Sequence, residues 1–315
     1  MDQQPGADVI TVAIPTYNRG TLVVETVERL LALTPPPDAI IIVDQSREPN
    51  ERLLRWHGEG RIRLIRLEAP SIPHAMNEAL LAAETPLILY LDDDVDPSPG
   101  LIAAHVRAHA DADAWAVVGQ VLQPGERSQH VQQPQDDLEF HFNHDQGVFL
   151  TNVLAGNLSV KREQALAIGG FDENFVGAAH RFETDFALRI VDAGGRVWFS
   201  PEATLHHLKL STGGLRSYGD HRSSPSPAHS AGDYYFAIHH RRPFWRYALT
   251  RLRKNVATRY HLRHPWMIAT KLIGEFRGML LGRRLARNGR RLLLAPQAVP
   301  HSDALTRDPT PAGPK

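Results

Sequence analysis

The chain has 315 residues with 35 Lys and Arg against 35 Asp and Glu, so its formal net charge is zero; 42% hydrophobic and 22% charged residues make an ordinary globular composition that excludes wholesale disorder. That length supports one large domain with an appendage, or two modest domains. The absence of cysteine excludes disulfides, thiolate metal sites and cysteine nucleophiles, and fits a reducing compartment.

The first hundred residues alternate between strand and helix patterns. "VITVAIP" (9–15) reads as a buried strand, "TLVVETVERLLAL" (21–33) as an amphipathic helix stopped by Pro35 to Pro37, and "AIIIVD" (39–44) as a second buried strand. "ERLLRWHG" is helical to Gly58, "RIRLIRL" alternates as a strand, "SIPHAMNEALLAAE" is a helix, and "PLILYLD" is another buried strand. This order predicts an α/β fold with a mainly parallel sheet covered on both faces. Beyond it come a helix over 101–110, the strand "AWAVVGQVL", a polar loop over 123–147, the strand "NLSV", a helix over 162–168, the turn "GGFDENF", a helix over 183–193 and the strand "RVWFSP". Gly, Ser, Pro and His predict a flexible connection over 211–233, and the proline-rich 295–315 reads as a disordered tail. No basic region leads into an apolar run at the start, so no secretory signal is expected, and Lys271, Glu275 and Arg277 interrupt the longest apolar stretch, which argues against a spanning helix.

The opening β-α-β unit lacks both the glycine fingerprint of dinucleotide-binding folds and a Walker phosphate loop, reading "IPTYNRG" instead. Thr16, Tyr17, Asn18 and Arg19 form a polar turn beside Asp44, at a strand end where α/β folds place ligand contacts. They read equally as a helix cap and an ordinary strand end. The cluster Asp92, Asp93, Asp94 is more telling, since adjacent carboxylates repel unless a hard divalent cation neutralises them. Pro97 stands where a calcium loop needs glycine, and no Glu follows at the required spacing. Glu183 and Asp185 open a helix, a position that the helix dipole favours without any function. Of the neighbouring His206 and His207, alternation lets at most one face a site.

Taken together, "VAIPTYNRG", "IIVDQS", "HAMNEAL", "LYLDDDVDPSPG", "AGNLSVKRE", "GGFDENF", "FETDFALRIVDAGG" and "PEATLHHL" occur in the order that resembles the family 2 glycosyltransferases, over about 9–208. The resemblance implies a GT-A catalytic domain over 1–210, with a nucleotide-sugar half to about 100 and an acceptor half beyond it, then a basic helical extension over 234–294. It implies a UDP-, GDP- or dTDP-sugar donor, a saccharide or lipid-linked acceptor, and Mn²⁺ or Mg²⁺ as cofactor. On this reading Thr16, Tyr17, Asn18, Arg19, Asp44, Asn77 and Asp92 surround the nucleotide. Asp94 and His207 bind the metal, with Asp93, Asp185 and His206 as subsidiary candidates. Glu183 falls on the catalytic-base position that relatives give to Asp, and Phe182 replaces the preceding acid. Transfer by single displacement with inversion, in cell-surface polysaccharide or glycolipid synthesis, is the implied function. The Phe-Glu departure keeps a non-catalytic, sugar-nucleotide-binding scaffold as the alternative.

From 239 to 294 Glu275 is the only acid among many Arg and Lys. Trp266, Ala269, Leu272, Ile273, Phe276 and Leu280 fall near one helical face. The expected partner is an anionic membrane surface, with a solvated helical cap as the alternative; no nucleic-acid motif accompanies the basic run. The expected location is cytoplasmic, or peripheral on the inner face of the cell membrane.

Overall fold

The computed structural model describes residues 10–130, 140–208, 220 and 222–293. The tail over 295–315, loop residues 131–139 and connection residues 211–219 lie outside these.

Strand β1 (Ile10–Thr16) is followed by α1 (Gly20–Leu31), β2 (Ala39–Asp44), α2 (Glu51–Gly58), β3 (Arg63–Arg66), α3 (Ile72–Ala82) and β4 (Leu87–Leu91). These four strands pair in parallel in the order β3-β2-β1-β4. The apolar runs of β1, β2 and β4 are continuous because each face is covered. Ile10, Val12, Ile14, Ile40 and Ile42 point into one core with Val23, Val27, Leu30 and Trp56. The intervening Ala13, Ile41 and Val43 point into the other core with Ala75, Met76 and Leu80.

Past the short β5 (Val95–Pro97) the sheet becomes mixed. Helix α4 (Leu101–Asp111) leads to β6 (Ala116–Leu122), β7 (Val148–Leu150), β8 (Asn157–Lys161), α5 (Arg162–Ala167), α6 (Phe182–Asp192) and β9 (Val197–His207). Strand β8 is antiparallel to both β4 and β6, while β6 and β9 run parallel. Thus "RVWFSP" and "PEATLHH", each of which reads as a strand, form one continuous β9. Its far end pairs antiparallel with β5, placing His207 across from Val95 and His206 across from Asp96.

The loop predicted over 123–147 is not simply polar surface. Phe140 is buried and packs on Phe142, His144 and Phe199, and the Gln120 side chain donates to the His144 carbonyl at 2.7 Å. Likewise, part of the expected connection is folded: a 3₁₀ turn (Pro227–His229) runs into α7 (Ala231–His239). The turn and helix pack under α10 (Trp266–Arg287), which follows α8 (Phe244–Asn255) and α9 (Arg259–Arg263). No helix among the described residues is long and apolar enough to cross a membrane.

Candidate active site

Parallel strands that end in register leave a crevice at their carboxyl edge. Here Thr16 at the end of β1 stands beside Asp44 at the end of β2, and Tyr90 and Leu91 end β4 on the other side. A cavity of about 370 Å³ opens along this edge. Its wall includes Thr16, Tyr17, Arg19, Gln45, Ser71, Met76, Tyr90, Asp92 to Asp94, Ala155 and His207. Gln45, Ser71, Met76, Tyr90 and Ala155 belong to this wall without having stood out in the sequence. All but Ser71 lie inside the motifs that carry the resemblance, without having been singled out within them.

The three aspartates divide. Strand β5 returns beside β9, and the Leu208 N–H donates to the Asp94 carbonyl at 2.9 Å. His207 Nε2 therefore lies 3.3 Å from Asp94 Oδ1 and 3.6 Å from Asp92 Oδ2. Asp92, Asp94 and His207 can each aim one ligand atom so that all lie within 4.8 Å of one another. Two carboxylates and an imidazole make a donor set suited to Mn²⁺ or Mg²⁺. A hydrogen bond with Asp92, reinforced by the charge of Asp94, raises the His207 pKa against partial burial. Alternation resolves the histidine pair, because His206 stands opposite Asp96 and is exposed.

Asp93 does not join that cluster. It is buried, and accepts from the Thr16 hydroxyl at 2.6 Å and from Arg19 Nη1 at 2.8 Å. Burial pushes its carboxyl up to about 6, while those two donors pull the other way. Arg19 also reaches Asp94 Oδ2 at 3.1 Å. Arg19 therefore spans two of the acids and offsets part of their mutual repulsion.

Four other candidates stand outside the cavity wall. Asn77 is fully buried: its side chain donates to the Phe171 carbonyl and to Glu173, and accepts from the Phe171 N–H, so it ties α3 to "GGFDENF" and is absent from the cavity wall. Asp44 is also buried, with one oxygen taken by the Ser46 N–H and the other by Arg66. Asp185 points away from the cavity to Arg189, His240 and Arg290 and fastens the C-terminal segment to α6. Asn18 is not in the wall either, and in a left-handed conformation (φ 55°) it donates its N–H to Ser46.

Glu183 differs in character. The chain enters α6 through Arg181, whose φ of 73° is costly for a residue with a β-carbon. Glu183, in the first turn, accepts the Ala155 N–H at 2.5 Å. Burial pushes its carboxyl up to about 7; the Ala155 hydrogen bond opposes this, and the charge of Asp92 adds to it. Next to Ala155, Gly156 packs so tightly on Asp92 that a β-carbon there would stand 2.4 Å from Oδ2. One dipeptide thus touches both the raised carboxyl and the acidic cluster. Phe182 is buried against Phe171 in the core.

Solved structures share this fold. The chain superposes on GalNAc-T7 with UDP, GalNAc and Mn²⁺ at a TM-score of 0.55 and 13% identity, covering 82% of this chain and spanning only 58% of that protein. It matches the mannosyltransferase PcManGT of Pyrobaculum calidifontis, in complex with GDP-Man and Mn²⁺, at 0.52 and 20% identity, over 89% of this chain and 79% of that one. For S. aureus TarS 1–349 with UDP-GlcNAc the values are 0.52 and 15%, over 85% and 73%. At these identities the likeness establishes the GT-A fold. No curated protein matches the chain by sequence. The family model described as glycosyl transferase family 2 matches residues 11–162, from β1 to the start of α5, so over that segment the sequence is similar to glycosyl transferase family 2.

Proposed function

We propose that the chain transfers a sugar from a nucleotide-sugar donor to an acceptor hydroxyl with inversion at the anomeric carbon. The nucleotide lies along the strand edge, with Tyr17, Gln45 and Ser71 offering a ring face and polar groups to base and ribose. Asp94, His207 and Asp92 would hold the divalent cation, which when bound neutralises the diphosphate leaving group. Glu183 accepts the proton of the acceptor hydroxyl while that oxygen bonds to the anomeric carbon. The bond to the phosphate oxygen breaks as it does so, and its electron pair leaves with the nucleoside diphosphate. A carboxyl poised near 7 is ionised often enough at neutral pH to do this, and basic enough to take the proton. The single displacement needs no covalent intermediate.

The observation that carries this reading is the 155–156 dipeptide, which hydrogen-bonds Glu183 through Ala155 and packs Gly156 on Asp92. Relatives of the same fold are crystallised with GDP-Man and UDP-GlcNAc, which supports a sugar nucleotide as donor class. A saccharide or lipid-linked acceptor, in surface polysaccharide or glycolipid synthesis, completes the proposal. The test is a screen of UDP-, GDP- and dTDP-sugars with Mn²⁺ or Mg²⁺ for nucleoside diphosphate release. Asp94→Asn is expected to lose metal-dependent donor binding. Tight donor binding without transfer to any acceptor would instead favour the non-catalytic scaffold.

A further inference from the structure

The last long helix is packed the opposite way from its hydrophobic pattern. The side of α10 facing the protein is Lys271, Gly274, Glu275, Gly278 and Gly282. A β-carbon on Gly278 would stand 1.9 Å from Ser230 Oγ, and one on Gly274 would stand 2.7 Å from the Ser224 carbonyl oxygen, so only glycine admits this approach. A buried ionic network fixes the helix about its axis. Glu275 accepts from Arg251 Nε at 2.8 Å and from the Tyr234 hydroxyl at 3.0 Å and pairs with Lys271 at 3.2 Å, while Arg251 also donates to Asp233. Rotating α10 to bury its apolar side would strand these charges and drive side chains into the α7 backbone.

The apolar side is consequently left outside. Trp266 is 66% exposed, Ile273 50%, Phe276 58% and Leu280 49%, at seven-, three- and four-residue spacing along one face. The surface continues onto α8, where Trp245 is 69% exposed, and Arg283 joins the two helices by lying 4.7 Å over the Phe244 ring and 5.5 Å over that of Trp245. Glu275, the only acid between 239 and 293, is buried, while Arg246, Arg253, Arg259, Arg277, Arg284 and Arg287 are exposed on α8, α9 and α10.

We infer that this face seats in the headgroup region of an anionic lipid bilayer, α10 lying along the surface with its aromatic and aliphatic side chains directed into the lipid. Charge selects this occupant. A second copy would set one basic surface against another, and a nucleic acid would leave Ile273 and Leu280 uncovered. An anionic bilayer answers both the arginines and the apolar stripe. The inference goes beyond the transfer reaction, since binding to lipid requires neither donor nor turnover.

The experiment is co-sedimentation of the full chain with vesicles of phosphatidylcholine alone or mixed with phosphatidylglycerol, at about 0.1 M and about 1 M salt. Partition onto the anionic vesicles is expected at low salt and about tenfold weaker or more at high salt. The doubly substituted Ile273→Gln, Phe276→Gln, both positions being exposed, should keep the wild-type melting curve and lose about tenfold or more in partition. Arg284→Gln with Arg287→Gln should lessen binding to anionic vesicles together with its salt dependence. No partition at low salt, or wild-type partition by the glutamine variant, overturns the inference. So does a concentration-dependent dimer that the same two glutamines abolish in sedimentation velocity, because a second copy would then be the occupant.

Discussion

Replacing Gly156 with alanine perturbs the acidic cluster without removing any of its ligand atoms. The added β-carbon would stand 2.4 Å from Asp92 Oδ2 and 2.9 Å from its Cγ. Carbon and oxygen settle no closer than about 3.4 Å, so the carboxylate must retreat by ~1 Å. Gly156 needs no left-handed backbone, which leaves this contact as the whole effect. The Asp92 side chain is half exposed and can swing into solvent, so stability should change by less than about 1 kcal/mol. Its Oδ2, however, is the oxygen 3.6 Å from His207. Displacing it opens the ligand cluster, and such a displacement costs on the order of 10- to 100-fold in metal affinity or rate. Calorimetric titration of Mn²⁺ in the presence of nucleoside diphosphate, with nucleoside diphosphate release as the rate assay, measures both. Wild-type metal affinity and rate in Gly156→Ala would refute the packing argument for Asp92.

Two pH dependences follow with opposite consequences. Because the Glu183 carboxyl sits near 7, kcat at saturating donor and metal should rise through that pH, gaining about tenfold from pH 6 to pH 8 as the base ionises; a flat profile would contradict its role. The same upward shift means that stability is lost as pH rises from the unfolded value near 4.5 toward 7, so Glu183→Gln should melt higher than wild type at pH 8. His105 behaves in the reverse sense. Buried between Ser159 and Asn157, it is held neutral down to about 3, so its contribution is complete above about 6.5 and lost as pH falls toward 3, at up to about 1.4 kcal/mol per unit. Urea midpoints of wild type and His105→Gln should therefore converge between pH 7 and pH 5, and a constant gap would refute that assignment.

What the sequence disclosed depended on the range of the forces involved. Strands β1, β2 and β4 were legible because parallel strands buried on both faces are unbroken apolar runs such as "AIIIVD", and the edge strand β3 was legible from its alternation. The acidic cluster was legible because repulsion among neighbouring carboxylates is a local fact. The separate part of Asp93 was hidden, since its partners Thr16 and Arg19 stand 77 and 74 residues away. The contacts of Asn77 and Asp185 were hidden for the same reason: one is held by Phe171 and Glu173, the other by His240 and Arg290, far along the chain. The orientation of α10 was left open because its stripe of Trp, Ile, Phe and Leu also satisfies the usual pattern of a buried face. Close approach at three glycines and a buried ionic network override that pattern.

The central claim is that Glu183 takes the acceptor proton at a donor site built by the neighbouring acids. It is tested most directly by comparing wild type with Glu183→Gln for donor affinity and single-turnover transfer under the same metal and acceptor. An amide keeps the shape and cannot accept the proton, so donor affinity should remain within about twofold while transfer falls by a factor on the order of 10² to 10⁴. Transfer by Glu183→Gln at the wild-type rate would contradict the account.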